Sequence, residues 1–154
     1  MLYVPRNVIE QIVALCKADQ HAEVCGVLIG QWRGTEKRVS RIVPVENVAQ
    51  THRETRYRID DRILLALENS LRGSAEEILG FYHSHLNSSV TPSQHDTALA
   101  WEAYSYLIVT VDKSGGESYA SWVMESRSTG FQKELLKVIE GEPTAESLDT
   151  RRDE

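Results

Sequence analysis

Cysteine is scarce in this sequence: only Cys16 and Cys25 occur among 154 residues. Two cysteines cannot build the disulfide framework of a small secreted domain. Long apolar runs are also missing, because none approaches the ~18 residues that a membrane-spanning helix needs. The first residues lack the basic and apolar regions of a secretory signal. Together these absences predict a cytoplasmic protein in a reducing compartment.

Basic residues are outnumbered: 17 Lys and Arg stand against 23 Asp and Glu, which gives a formal net charge of -6. This balance argues against a nucleic-acid-binding protein that relies on a basic surface. Several functional motifs are absent as well, namely G-x-G-x-x-G, the P-loop, H-E-x-x-H, P-C-x-x-C and G-x-S-x-G. The sequence therefore disfavours the dinucleotide-binding, P-loop, zinc-deaminase and serine-hydrolase classes that depend on them.

The composition is that of an ordinary globular protein, with 41% apolar and 26% charged residues. Apolar periodicity predicts helices over 5–17, 60–72, 93–103 and 131–139, and strands over 24–30, 39–45, 57–59, 77–85, 106–112 and 117–125. This order predicts an α+β fold with a mixed, mostly antiparallel sheet flanked by helices. We expect a single domain over 1–140 and a charged, flexible tail over 141–154.

Two histidines lie at the end of the predicted strand over 77–85. His83 and His85 are two residues apart, so in an extended strand their imidazoles point to the same face. Such a pair can hydrogen-bond to the backbone of a half-buried strand, or it can bind a metal. Which of these two roles the histidine pair has depends on whether further metal-binding side chains lie nearby.

A helix start follows the histidines. We predict Thr91 as the N-cap, Pro92 as the first helical residue and Gln94 as the partner that closes a capping box. Asp96 lies three residues after Ser93, so the two side chains share a helix face. In the simpler interpretation, the Ser93 hydroxyl only caps the start of the helix. Asp96 is then only a carboxylate that interacts favourably with the helix dipole.

A metal site is the alternative. His83, His85 and Asp96 would supply three ligands to one divalent ion, and imidazole nitrogen with carboxylate oxygen suits zinc. Three protein ligands leave a fourth position for water, which is typical of a catalytic site. Water bound to zinc ionises at a pKa of about 7, which provides a nucleophile at neutral pH.

An upstream motif adds weight to the metal site. Glu23 precedes the apolar strand C-G-V-L-I-G, and H-S-H and S-x-x-D follow some sixty residues later. In this order and spacing the residues resemble the JAMM (MPN+) metalloprotease family, over roughly 5–125, in its compact prokaryotic type. One departure is Leu86, where the family usually has proline. We expect this change to alter the loop more than metal binding.

The resemblance implies a role for each motif residue. His83, His85 and Asp96 would bind one zinc ion, with water as the fourth ligand. Glu23 would act as the general base and then as the acid that protonates the leaving amine. Ser93 would help to stabilise the oxyanion. The implied fold is the cytidine-deaminase-like fold of JAMM proteins.

The implied substrate is the C-terminal Gly-Gly tail of a ubiquitin-like β-grasp protein, bound at a sheet edge by β-augmentation. Releasing a sulfur-carrier adduct, trimming a precursor and removing a ubiquitin-like conjugate all fit this activity. The polar loop over 46–56 is a candidate substrate contact. Two alternatives are a non-catalytic MPN-type binding scaffold and a metallopeptidase acting on another small peptide.

Three other residues attract attention but have simpler interpretations. His95 points away from the face shared by Ser93 and Asp96, so we expect it outside the ligand set. Cys25 is predicted to be a small buried apolar residue rather than a nucleophile. Trp101 is expected in the core or in the wall of the site.

Overall fold

The computed structural model describes residues 1–140, which form eight strands and three helices. The strands are β1 (Leu2–Pro5), β2 (Cys25–Arg33), β3 (Glu36–Val45), β4 (Glu77–Ser84), β5 (Ser105–Val111), β6 (Glu117–Ser126), β7 (Gly130–Glu134) and β8 (Leu136–Ile139). The helices are α1 (Arg6–Ala18), α2 (Asp61–Leu71) and α3 (Gln94–Leu99). The predicted tail over 141–154 lies outside the described residues.

All eight strands belong to one mixed sheet in the order β7-β6-β5-β4-β2-β3-β1-β8. Pairing is antiparallel in β2–β3, β2–β4, β5–β6 and β6–β7, and parallel in β4–β5, β1–β3 and β1–β8. This arrangement confirms the predicted α+β class and its mainly antiparallel sheet. No helix within 1–140 has the length and apolar character needed to cross a bilayer.

The two faces of the sheet bury separate apolar clusters. Helix α1 covers one face, where Ile9 and Ile12 pack with Tyr82 and Leu107. Helix α2 covers the other face, where Leu64 and Leu71 join a cluster with Phe81. Because side chains alternate along β4, His83 lies on the same face as Phe81. The histidines are thereby directed towards the α2 side of the sheet.

Close contact between β4 and β5 requires glycine. A Cβ atom at Gly80 would lie 2.0 Å from the Ser105 carbonyl oxygen. Only a residue without a side chain lets β5 approach β4 this closely. This contact sets the start of β5 against the strand that carries the histidines.

Three predicted elements differ from the structure. The helix predicted over 131–139 is wrong, because this segment forms β7 and β8 and pairs with β6 and β1. The segment 57–59 is not a strand, although it lies beside the site. Helix α3 ends at Leu99, four residues earlier than predicted. Strand β1 was not predicted at all.

Candidate active site

Ser84 joins the two segments that carry the predicted site residues. Its hydroxyl accepts a hydrogen bond from the Val24 amide at 2.8 Å, and its own amide donates to the Val24 carbonyl at 2.9 Å. Val24 follows Glu23, and Ser84 lies between the two histidines. These two bonds therefore hold Glu23 beside the end of β4.

The structure brings Glu23, His83, His85 and Asp96 together, with one side-chain ligand atom of each within 4.8 Å of the others. Three of these atoms form what we call the ligand triangle: His83 Nε2, His85 Nε2 and Asp96 Oδ2. Its edges measure 3.2, 3.2 and 3.1 Å. A tetrahedral ion with bonds of about 2.0 Å has its ligands about 3.3 Å apart. The triangle thus has the size of one face of a metal coordination tetrahedron.

The hydrogen bonding of His85 shows which atoms need a cation. Its Nδ1 lies 2.9 Å from the Ser89 carbonyl oxygen. Because a carbonyl only accepts, Nδ1 carries the hydrogen, and in the neutral ring Nε2 presents a lone pair. That lone pair faces the Asp96 carboxylate at 3.1 Å. Two acceptors at this distance require a proton or a metal ion between them.

The pKa shifts of the histidines agree with this requirement. Burial lowers the pKa of His83, which favours the neutral imidazole that metals bind. Burial also acts to lower the pKa of His85, but Asp96, Ser89 and Glu23 outweigh it and the net shift is upward. The raised pKa of His85 thus indicates that its acceptor neighbours favour a positive charge at the ligand triangle.

Three buried polar atoms at the site have no hydrogen-bond partner within 1–140: Glu23 Oε1, His83 Nδ1 and Asp96 Oδ1. Leaving such an atom unpaired costs about 1–3 kcal/mol, so folded proteins rarely cluster them.

Burial, more than any other cause, raises the pKa of Glu23 to about 8; His85 acts to lower it and Asp96 to raise it. A carboxyl that titrates near neutrality is suited to proton transfer.

Ser93, rather than Thr91, is the N-cap of α3. The Asp96 amide donates to Ser93 Oγ at 3.0 Å, and the Ser93 amide donates to Asp96 Oδ2 at 2.9 Å, which forms a capping box. The prediction of Thr91 with Gln94 was wrong, because a carboxylate accepts a stronger bond from an amide than a neutral side chain does. The Ser93 hydroxyl hydrogen stays available to another acceptor.

A cleft of about 590 Å³ opens beside the site. Asp96 and His95 line it together with Tyr57, Ile59 and Trp101. Trp101 is 48% exposed, so of the two predicted places it occupies the wall rather than the core. His95 lies in the cleft but outside the cluster of Glu23, His83, His85 and Asp96. Cys25 is buried, as expected.

Two residues at the site were missed by the sequence analysis. The Tyr57 ring stacks on His83 with centroids 4.3 Å apart. The Asn47 Nδ2 group donates to the carbonyls of Glu23 and Arg56, each at 3.0 Å. Both residues belong to a polar loop, where type and spacing alone gave no sign of these contacts.

Comparisons with known proteins identify the family. Residues 5–125 match the family described as prokaryotic homologs of the JAB domain. The match covers most of the chain, so the chain belongs to this family. This membership confirms the resemblance drawn from Glu23, the H-S-H motif and the S-x-x-D motif.

Two curated relatives are similar in sequence. A desampylase from Haloferax volcanii is 37% identical over 95 residues, which span 61% of this chain and 66% of the relative. A CysO-cysteine peptidase from Mycobacterium tuberculosis is 28% identical over 142 residues, which span 91% of this chain and 92% of the relative. The second match therefore extends over nearly the full length of both proteins.

Solved structures agree with the fold. A protein from Desulfitobacterium hafniense, known from a solution structure, is 26% identical with a TM-score of 0.79, over 92% of this chain and 94% of that chain. A JAB1/MPN domain protein from Archaeoglobus fulgidus is 16% identical with a TM-score of 0.58, over 90% of this chain and 97% of that chain. The second likeness shows the fold alone.

Proposed function

We propose that this protein is a zinc-dependent isopeptidase or peptidase that cleaves after the C-terminal Gly-Gly of a ubiquitin-like β-grasp protein. The ligand triangle, with Glu23 beside it, is the observation that carries the proposal. The names of the two curated relatives, a desampylase and a CysO-cysteine peptidase, support the same class of reaction. A sulfur-carrier adduct, a precursor and a protein conjugate all share the Gly-Gly end.

The metal would be held by His83, His85 and Asp96. Two imidazole nitrogens and one carboxylate oxygen are a usual donor set for catalytic zinc. When bound, zinc supplies Lewis acidity to water and to the scissile carbonyl. The Ser89 carbonyl and the Ser93 amide orient His85 and Asp96 from behind, as the outer partners of metal ligands do.

Glu23 would carry the proton. A buried carboxyl, whose pKa burial raises in the metal-free protein, can take a proton from the attacking water and return it to the leaving amine. The Ser93 hydroxyl, whose oxygen already accepts the Asp96 amide, would donate its hydrogen to the oxyanion. Each role uses an atom at the candidate site whose bonding leaves it available.

The substrate tail would add as a strand along 57–59. The Arg58 amide donates to Asn47 Oδ1, and the Arg58 carbonyl accepts from the Val48 amide. With the tail bound, this segment would be extended, and the backbone groups of Tyr57 and Ile59 would then face away from Asn47. Both residues line the cleft. A glycine tail bound there by β-augmentation would end beside the ligand triangle.

A cleavage assay tests the activity. The substrate is a ubiquitin-like protein fused through its Gly-Gly end to a reporter amine, incubated with zinc, with chelator and with the Glu23→Gln variant. We expect release that chelator abolishes and that Glu23→Gln lowers by at least about 100-fold. Parental rates in Glu23→Gln would remove the base assignment. Zinc binding with no release would favour the alternative of a non-catalytic scaffold.

Metal analysis tests the ligand assignment separately. We expect one zinc per chain in the parent, loss of zinc in His85→Ala, and full zinc in the control His52→Ala, whose side chain is exposed. Full occupancy in His85→Ala would refute the assignment.

We also propose a cytoplasmic location, which the two buried free thiols of Cys16 and Cys25 support.

A further inference from the structure

Helix α3 is too short to be stable by itself. It has six residues, and isolated helices below roughly 12 residues are marginal in water. The capping box between Ser93 and Asp96 satisfies its first turn. The carbonyls at the end of a helix have no partners inside it and need donors from elsewhere. The placement of Asp96 therefore depends on what holds the end of α3.

Arg127, in the turn between β6 and β7, supplies those donors. Its Nη1 donates to the carbonyl of Thr97 at 3.0 Å and more weakly to that of Ala98, and its Nη2 donates to that of Ala100. A planar guanidinium can reach several acceptors at once, and its charge is favourable at a helix C-terminus. Thr97 directly follows Asp96, so this contact lies one residue from the ligand triangle.

We propose that Arg127 is a positioning residue that fixes α3 and thereby holds Asp96 in the ligand triangle; this inference rests on the metal site of the proposed function. The segment around α3 has only two other side-chain anchors from β5 and β6 within 1–140. Trp122 Nε1 donates to the Val90 carbonyl, and Tyr106 Oη accepts from the Trp101 amide. Both act outside the helix, so among the described residues Arg127 is the one side chain from this side of the sheet that donates to the Thr97 and Ala98 carbonyls.

Loss of Arg127 would leave these carbonyls to water and let α3 fray. Asp96 Oδ2 would then spend less time within the 3.1–3.2 Å contacts to the histidines. Removing a partner that orients a metal ligand typically weakens metal binding by about 10–100-fold. We expect a loss of this size in Arg127→Ala. Arg127→Lys should lose less, because one ammonium group can satisfy some of the three carbonyls.

The experiment measures zinc affinity by competition with a chromophoric chelator, well below the melting temperature, for the parent, Arg127→Ala and Arg127→Lys. Arg33→Ala is the matched control, because it removes an exposed guanidinium at the far end of β2 from Cys25. The visible spectrum of the cobalt-loaded protein reports the coordination geometry independently of activity. We expect an altered cobalt spectrum in Arg127→Ala and parental values for Arg33→Ala.

The proposal is overturned if Arg127→Ala binds zinc as tightly as the parent with an unchanged cobalt spectrum, even if it melts at a lower temperature. Such a result would give Arg127 a structural role only. If Arg127→Ala does not fold, Arg127→Lys decides, and parental affinity in that variant would also overturn the proposal. A parent that binds no zinc would instead refute the metal site itself.

Discussion

The Glu23 carboxyl is buried, and its Oε1 has no hydrogen-bond partner within the described residues. Burial raises its pKa from an ordinary 4.5 to about 8. A carboxyl with a raised pKa in the folded state favours folding most at low pH, and this contribution is lost as pH rises through the folded value. The metal-free protein should therefore lose stability between these two values because of Glu23.

Glu23→Gln should remove this pH dependence, because the amide does not ionise. In metal-free protein we expect the variant to gain stability relative to the parent by a few kcal/mol between about pH 5 and about pH 9, since one pKa unit corresponds to about 1.4 kcal/mol. Urea unfolding at both pH values measures the difference. Glu10→Gln, on the exposed face of α1, is the control and should show no such trend. Equal differences at both pH values would contradict the burial argument.

The two thiols should be unreactive in the folded protein. Burial raises the pKa of Cys16 from 9.0 to about 11, and burial followed by Glu23 raises that of Cys25 to about 12. At about pH 8 this leaves at least roughly 100-fold less thiolate than an exposed thiol has. Ellman's reagent should modify neither residue in the native state and both after denaturation. Rapid native labelling of Cys25, or loss of cleavage in Cys25→Ala, would reopen the question of a cysteine nucleophile.

The grouping of the candidate ligand residues could be predicted because their chemistry is specific to residue type. Histidines two apart in a strand and a carboxylate in the next helix have few arrangements open to them, and His83, His85 and Asp96 do meet in space. The contacts of Asn47 and Tyr57 could not be predicted in this way. Amide hydrogen bonding and ring stacking are common to many loop residues, so only the folded loop showed what these two residues contact.

At the scale of elements, apolar spacing failed where segments were short. Phe131, Leu135 and Ile139 recur every four residues, which suggested a helix, yet β7 and β8 gain their hydrogen bonds from β6 and β1. Leu135 is 57% exposed between the two strands. Strand β1 was missed because four residues give too little periodicity. In both cases pairing with distant strands outweighed the local pattern.

The Asn47 side chain helps to hold the loop between β3 and α2 to Glu23, beside a backbone bond from the Glu23 amide to the Arg53 carbonyl at 2.7 Å. Besides its two donated bonds, Asn47 accepts the amides of Ala49 and Arg58 through Oδ1, each at 3.1 Å. Asn47→Ala would break all four bonds. We expect a loss of about 2–4 kcal/mol in stability, at about 1 kcal/mol per bond, and a raised KM because 57–59 would shift.

Asn47→Asp separates the two halves of this network. The carboxylate can still accept from Ala49 and Arg58, but it places an acceptor against the carbonyls of Glu23 and Arg56. We therefore expect Asn47→Asp to raise KM as much as Asn47→Ala does, with cleavage kinetics as the measurement. Asn7→Ala, on the exposed face of α1, is the control. Parental KM in Asn47→Asp would show that the bonds to Glu23 and Arg56 do not position the loop.

At the scale of the whole molecule, the sheet is curved so strongly that its two edge strands, β7 and β8, come together. Leu135 is the single residue between β7 and β8, which stand at opposite ends of the strand order. Within this closure Lys37 donates to Ser105 Oγ at 2.8 Å and lies 3.7 Å from Glu134 Oε2. Ser105 and Ser121 donate to Glu134 Oε1. The buried ion pair is thus hydrogen-bonded on both sides and links β3, β5, β6 and β7.

Removing both members of this ion pair should destabilise the protein by less than the sum of the two single removals. Glu134→Gln alone leaves the buried Lys37 charge without its counterion, which typically costs about 3–5 kcal/mol. Lys37→Met alone leaves Glu134 with only the N-terminal ammonium, 3.5 Å from its Oε2, as a counterion. The double variant removes both charges of the pair, so its loss of stability in urea unfolding should fall below the sum of the single losses by about 1–3 kcal/mol. Glu36→Gln, at the half-buried Arg38 pair on the same strand, is the control and should change stability less than either single variant does. Additive losses in the double variant would mean that the pair does not act as a unit and that hydrogen bonds alone hold the closed sheet.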